Sequence, residues 1–395
     1  MKRRPERGFT LIELMVALVV SSLLVGMILA IFSRMSLAYR GQQQIAGVQQ
    51  VLAAARATIE LDAKQAGFAM AQGFKFANDP TNVQPPVQIT NSNTGPDRIA
   101  FFYADPSTQA VVTAVVGVWD ERPTVTVDFT TGFAPGDLVV LSTADPLLPN
   151  PIDSNDAMLV SYDACVLRIA PGGVVGTAGG TITFETSPPW GLPDSSHCTR
   201  PLSPPPPPPS PTIQAPMLYK FVAHAYRIDP DPARAAIGPL QGSLVSGGLL
   251  HSAADSWTDL AYGFTDIQTA LQVYEPGADD TPDPDNDPDR NWYSSGKQDT
   301  LTTPFPRPPS PPPPPPVNSL LQISISLVAR TDRDVEGIAT AATPQLINPA
   351  IPNNNTIGDH PSVPLPSPTD PALQGSRIYR HTTFQVDFRN LGVGR

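Results

Sequence analysis

Residues 8–33 run GFTLIELMVALVVSSLLVGMILAIFS, and the 25 residues from Phe9 to Ser33 hold one charged side chain, Glu13. As a helix rising about 1.5 Å per residue they would reach about 38 Å, against about 30 Å for a hydrocarbon core, so a membrane-spanning helix is expected. A secretory signal ends its apolar run at a small-residue cleavage site. The following residues 34–44, RMSLAYRGQQQ, offer none, and the apolar segment is expected to stay on the protein. Lys2, Arg3, Arg4 and Arg7 precede it, opposed only by Glu6, which sets the N-terminus in the cytoplasm and the bulk of the chain outside.

A carboxylate four residues inside such a segment costs several kcal/mol unless a cation meets it. If the chain were cut after Gly8, Phe9 would carry a free α-amine, and an axially shifted neighbouring copy could offer that amine to Glu13. At Gly8-Phe9-Thr10-Leu11-Ile12-Glu13 and the apolar run after it, the sequence resembles the class III signal of the type IV pilin family. The resemblance implies that a prepilin peptidase cuts between Gly8 and Phe9 and N-methylates Phe9, and that Glu13 serves in subunit docking. The alternative is a signal-anchor helix that happens to contain a Glu.

No proline falls between Phe9 and Asp79, although proline makes up 49 of 395 residues, so one helix can run on past the membrane segment. Beyond Ser33, the residues Ile45, Val48, Leu52, Ala55, Ile59, Ala63 and Ala66 recur at spacings of three and four, one apolar face opposite Gln, Arg, Glu and Lys. Gly67 supplies a C-terminus, giving a helix over 9–66 about 87 Å long, with Gly26, Gly41 and Gly47 as expected points of bending. In pilins the first half packs in the filament core and the second lies on a β-rich head. An amphipathic helix that only covers its own globular domain fits residues 34–66 equally.

After about residue 90 the pattern turns to alternation. Strands are expected at Ile99–Tyr103, Val111–Trp119, Thr124–Phe129, Leu138–Leu141, Met158–Tyr162, Val166–Ile169, Thr181–Glu185, Tyr219–Ile228, Leu320–Ala329 and Thr382–Phe388. In Leu320–Ala329 the residues Ile323, Ile325 and Leu327 should be buried and Gln322, Ser324 and Ser326 wet. The expected fold class is α+β: a leader (1–8), a transmembrane or filament-core helix (9–33), an amphipathic half (34–66) and an extracytoplasmic antiparallel head (67–395). Residues 259–274, DLAYGFTDIQTALQVY, and 379–394, YRHTTFQVDFRNLGVG, resemble segments of the PilW-like branch of minor pilins. Proline-rich insertions at 201–216 and 304–316 each contain six consecutive prolines and read as polyproline II spacers, or as ligands for a partner's aromatic groove.

Cys165 and Cys198 lie on the outer, oxidising side and are expected to be disulfide-bonded; two free thiols, or a metal or catalytic role, are the alternatives. Asp283, Asp285, Asp287 and Asp289 alternate like the start of a calcium loop. Pro288 stands where the helix-loop-helix motif needs Gly and no closing Glu follows, so a solvated acidic loop competes with Ca²⁺ binding. No other cofactor is indicated. Net charge is −11, and with +3 in the first eight residues the rest carries about −14, which argues against nucleic acid as a partner. His197, His224, His251, His360 and His381 are scattered and no nucleophile sits in a recognised catalytic setting, so no enzymatic activity is expected. The glycine pairs 172–173 and 179–180 read as β-turns.

The resemblance implies a minor pilin acting in type IV pilus assembly, in a small priming or tip complex with other minor pilins and the major pilin, and so in motility or adhesion. It would be held in the inner membrane with its head in the periplasm before reaching the pilus. A head of more than 300 residues is bulky to repeat along a whole filament, which disfavours a major pilin. A minor pseudopilin of a type II secretion system and a membrane-anchored extracellular binding or adhesion protein are the two alternatives.

Overall fold

The structure, a computed structural model, describes residues 10–70, 74–76, 79–90, 96–116, 124–142, 164–185, 217–231, 233–234, 237–244, 257–274, 290–293, 319–331, 350–351, 355–356 and 379–388. A single helix, α1 (Leu11–Gln65), takes up 55 of them, about 82 Å at the usual rise. Thr10 starts it with a capping box. The Thr10 hydroxyl accepts from the Glu13 N–H at 3.3 Å, and the Glu13 carboxylate accepts from the Thr10 N–H at 2.9 Å. Gly67 ends it as expected, at φ 78°, its N–H donating to the Phe102 carbonyl at 2.9 Å. α1 runs through Gly26, Gly41 and Gly47 without interruption, so none of the three melts it. A lone Gly costs a helix only about 1 kcal/mol, which flanking Leu, Ala and Gln offset.

The strands are β1 (Phe74–Phe76), β2 (Asp79–Gln84), β3 (Val87–Thr90), β4 (Arg98–Val116), β5 (Thr124–Val127), β6 (Leu138–Ser142), β7 (Ala164–Val175), β8 (Thr181–Phe184), β9 (Met217–Ile228), β10 (Leu240–Leu244), β11 (Trp257–Ala261), β12 (Phe264–Tyr274), β13 (Arg290–Tyr293), β14 (Ser319–Arg330), β15 (Ala350–Ile351), β16 (Asn355–Thr356) and β17 (Tyr379–Asp387). An eleven-stranded sheet runs β11-β10-β9-β4-β5-β8-β7-β1-β2, with β3 on β4 and β6 joining β7 to β9. A four-stranded sheet runs β13-β12-β14-β17. Pairing is antiparallel except between β1 and β7.

Because β6 pairs with both β7 and β9, the strands β4-β5-β8-β7-β6-β9 close into a six-stranded barrel inside the larger sheet. Every strand of the ring sends apolar side chains inward, among them Val112, Val125, Ile182, Leu167, Leu141 and Leu218, so the barrel is filled. Alternate residues point outward. Phe102 and Tyr219 pack there against Met70 and Phe74 of the segment that follows α1.

A third cluster joins everything else. Val48, Leu52, Ala55, Ile59 and Ala63 of α1 meet Ile99 and Phe101 of β4, Ile267 of β12, Ile323, Ile325 and Leu327 of β14, and Phe384 and Val386 of β17. The predicted stripe of α1 is thus buried against both sheets, except that Ile45 is only half-buried.

Three expectations change. The runs Ile99–Tyr103 and Val111–Trp119 belong to one strand as far as Val116, because the gap between them is a bulge at Asp105–Gln109 and not a loop. There Pro106 lacks an N–H, and Asp105 accepts from the Ser107 N–H at 2.8 Å. Ser324 and Ser326, expected in water, are both buried; Ser326 pairs its hydroxyl with Thr383 at 3.2 Å, and the Ser324 hydroxyl is buried without a hydrogen-bond partner among the described residues. Gly172–Gly173 lie within β7 at a bulge, where a Cβ on Gly173 would come within 2.5 Å of the Thr183 carbonyl; Gly179–Gly180 do turn the chain into β8. The expected strand Met158–Tyr162 lies outside the described residues.

Ile59 has no exposed surface at the centre of the shared core. Ile59→Ala should cost about 2–5 kcal/mol of head stability in chemical denaturation, and Ile45→Ala clearly less.

Candidate functional sites on the long helix

The two halves of α1 meet different surroundings. From Leu11 to Phe32 no residue is buried, and the large apolar side chains stay open on every side: Leu11 is 78% exposed, Leu18 63% and Phe32 67%. This segment is long and apolar enough to cross a membrane. A helix that is apolar all round and covered by nothing in its own fold requires a lipid or protein surface around it. Glu13 sits at its start. Its carboxylate also accepts from the Thr10 hydroxyl at 3.0 Å, so among the described residues both of its hydrogen-bond donors come from Thr10, at the start of its own helix. Gly8 and Phe9 lie outside the described residues.

At the other end of α1 a carboxylate is buried. Asp62 lies on the packed face, 5% exposed, between Ile59 and Ala66. Strands β4 and β9 bring three partners to it: Tyr103 donates its hydroxyl at 2.8 Å, Tyr226 donates through a short hydrogen bond, and the His224 Nδ1 lies 2.7 Å away. These partners share one face because Ile99 pairs with Tyr226 and Phe101 with His224, which leaves Tyr103 two residues further on the same side. Burial, and then the Asp62 charge, push both phenols far above the ordinary tyrosine range, so they remain O–H donors. The His224 ring is one-third exposed and stands edge-on to Tyr103, with centroids 6.1 Å apart. An Nδ1–H tautomer completes the coordination of the carboxylate.

The sequence reading passed over Asp62 and treated His224 as one of five scattered histidines. The signal was there: one Asp interrupts an otherwise apolar stripe, and two tyrosines and a histidine occupy alternating positions on strands.

Cys165 is buried in the barrel interior on β7, and among the described residues no cysteine is free. Cys198 lies outside the described residues, as do Asp283, Asp285, Asp287 and Asp289 and both proline-rich insertions. Among the described residues no group of three His, Cys, Asp or Glu could hold a metal ion. At the far edge of the large sheet, Arg234 bridges Asp229 at 2.7 Å and Asp259 of β11, and its hydrogen bond holds the Asp259 carboxyl below the usual range.

The family profile described as the prokaryotic N-terminal methylation motif matches residues 3–29, which takes in Arg3, Arg4 and Arg7, Gly8, Phe9, Glu13 and most of the exposed half of α1. Compared by sequence with curated proteins, the chain matches none. Among solved structures, a type IV-like pilin from Thermus thermophilus is similar at 10% identity over 87% of this chain and 98% of that one, with a TM-score of 0.29, a likeness too loose to argue from.

Both phenols bind their protons more tightly in the folded state than the value near 10 of an unfolded chain. Their contribution is therefore complete below about pH 10 and declines as pH rises above it. Tyr103→Phe with Tyr226→Phe should flatten that alkaline fall in a denaturation series. Tyr226→Phe alone should cost about 1–3 kcal/mol at neutral pH, because it removes a donor from a buried carboxylate.

Proposed function

We propose that the chain is a type IV pilin-like subunit, cut between Gly8 and Phe9 by a prepilin peptidase and N-methylated on Phe9. The observation that carries this reading is the coincidence of two things: the methylation motif spans residues 3–29, and the half of α1 that it covers has no partner in its own fold. In the inner membrane, lipid surrounds that half. In a filament, the same surface packs on the same surface of neighbouring subunits, so transfer from membrane to filament exchanges one apolar environment for another.

Glu13 gives the transfer its direction. In the single chain its carboxylate caps its own helix through Thr10. The methylated amine of Phe9 on an axially shifted neighbour replaces a neutral donor with a cation, a stronger partner in an apolar setting. Head size and the PilW-like segments favour a minor subunit in a priming or tip complex with other minor pilins and the major pilin, the head facing the periplasm. A Cys165–Cys198 disulfide would tie the barrel interior to the approach to the first proline-rich insertion. The Asp283–Asp289 stretch would be a solvated acidic loop, with Ca²⁺ binding as the alternative. The work proposed is assembly and not catalysis.

The test is the N-terminal mass of membrane-extracted protein from cells with and without prepilin peptidase, for wild type and Gly8→Val. N-methylated Phe9 is expected only in wild type with the peptidase present. An intact Met1, or a cut beyond Ser33, in every sample contradicts the reading. Incorporation into sheared pili, set against a defect in protein secretion, separates a pilus subunit from a pseudopilin.

A further inference from the structure

We propose that Asp62 is a register lock: with Tyr103, Tyr226 and His224 it fixes where along its axis, and at what rotation, α1 sits on the head. The inference rests on the packing alone and stands whether or not the chain is a pilin. The apolar stripe cannot set the register by itself. Val48, Leu52, Ala55, Ile59, Ala63 and Ala66 repeat at three and four, so sliding α1 by one turn, about 5.4 Å, lays apolar side chains on apolar sites again. Along the stripe such a slide is held back only by differences in side-chain size and by Arg56 over the Phe384 ring at 5.3 Å; at the helix end the Gly67 N–H on the Phe102 carbonyl at 2.9 Å and the Ala104 N–H on the Phe68 carbonyl at 3.1 Å also oppose it, and Asp62 acts together with them.

Asp62 removes that degeneracy. In the observed register its two oxygens divide three partners: Tyr103 on Oδ1, Tyr226 and His224 on Oδ2. One turn away it faces the apolar neighbours of Ile59 or Ala66 with no donor, and an unpaired buried carboxylate is among the most destabilising groups a core can hold. The charged groups around it belong to few elements. Asp105 on β4 adds to the negative field at Tyr103, but Ser107 and Thr108 hold its own carboxylate. On α1, Glu60 is taken up by Arg56 and Lys64 on the solvent side.

A lock differs from ordinary stabilisation in what its removal does. Replacing the cluster with apolar groups of similar shape, Asp62→Leu with Tyr103→Phe and Tyr226→Phe, leaves no unpaired charge, so the full chain in detergent should fold and melt within a few degrees of wild type. Its register should nevertheless be lost. The readout is the distance distribution between nitroxides on Ala57→Cys and Thr258→Cys, both exposed, with the unsubstituted parent as labelling control. Wild type should give one narrow peak. The triple variant should broaden or split, with a second population displaced by up to about 5 Å, the rise of one helical turn. A narrow, unshifted peak in the folded triple variant overturns the proposal. So does failure of that variant to fold, which would make the cluster a source of stability and not of register.

Discussion

One helix has to satisfy two solvents. About half of α1 is apolar on every side and touches nothing in its own fold, while the other half is apolar on one stripe and supplies the centre of the core between two sheets. The contact of Leu52, Ala55, Ile59 and Ala63 with β4, β14 and β17 holds the head to the helix. The two sheets also meet directly through β12, where the Asp97 N–H donates to the Ile267 carbonyl at 2.9 Å and the Asp97 carboxylate accepts from the Thr269 N–H at 2.8 Å. An exposed apolar rod can be tolerated only if the rest of the molecule is anchored firmly to it and some outside surface receives it.

The head meets that demand with layered packing. The outer part of the large sheet is covered by α1 on one face and by Met70 and Phe74 on the other, and beyond them the strands curl into a filled barrel with its own core. A buried carboxylate within the first of these layers costs stability relative to an apolar residue of the same size. Its three partners from two adjacent strands make sense if position matters more than stability near the C-terminal end of α1, where the helix lies against the head.

Much of this was legible in the sequence. The apolar run from Leu11, the helix stop at Gly67 and the stripe from Val48 to Ala66 were all legible locally, in composition and in a periodicity that a helix displays openly. The inward residues Ile323, Ile325 and Leu327 were legible in the same way. What escaped depends on long-range closure. Nothing local in Leu138–Ser142 says that it pairs on both sides, so the barrel was invisible, and the bulge at Pro106 read as a loop because proline and Asp suggest one. Asp62 was missed because a stripe is found by its apolar members. The wet face assigned to Ser324 and Ser326 assumed that small hydroxyls seek water, and Ser326 instead pairs with Thr383 across the strands.

The central claim, that the two halves of α1 serve different surroundings, is tested most directly by removing one of them. A chain beginning at Gln42 keeps every buried residue of α1 except Gly41. It should be soluble without detergent, monomeric, and unfold at the temperature of the full-length head. Aggregation, or loss of the melting transition, would show that residues 11–41 pack into the fold after all, and would contradict the account.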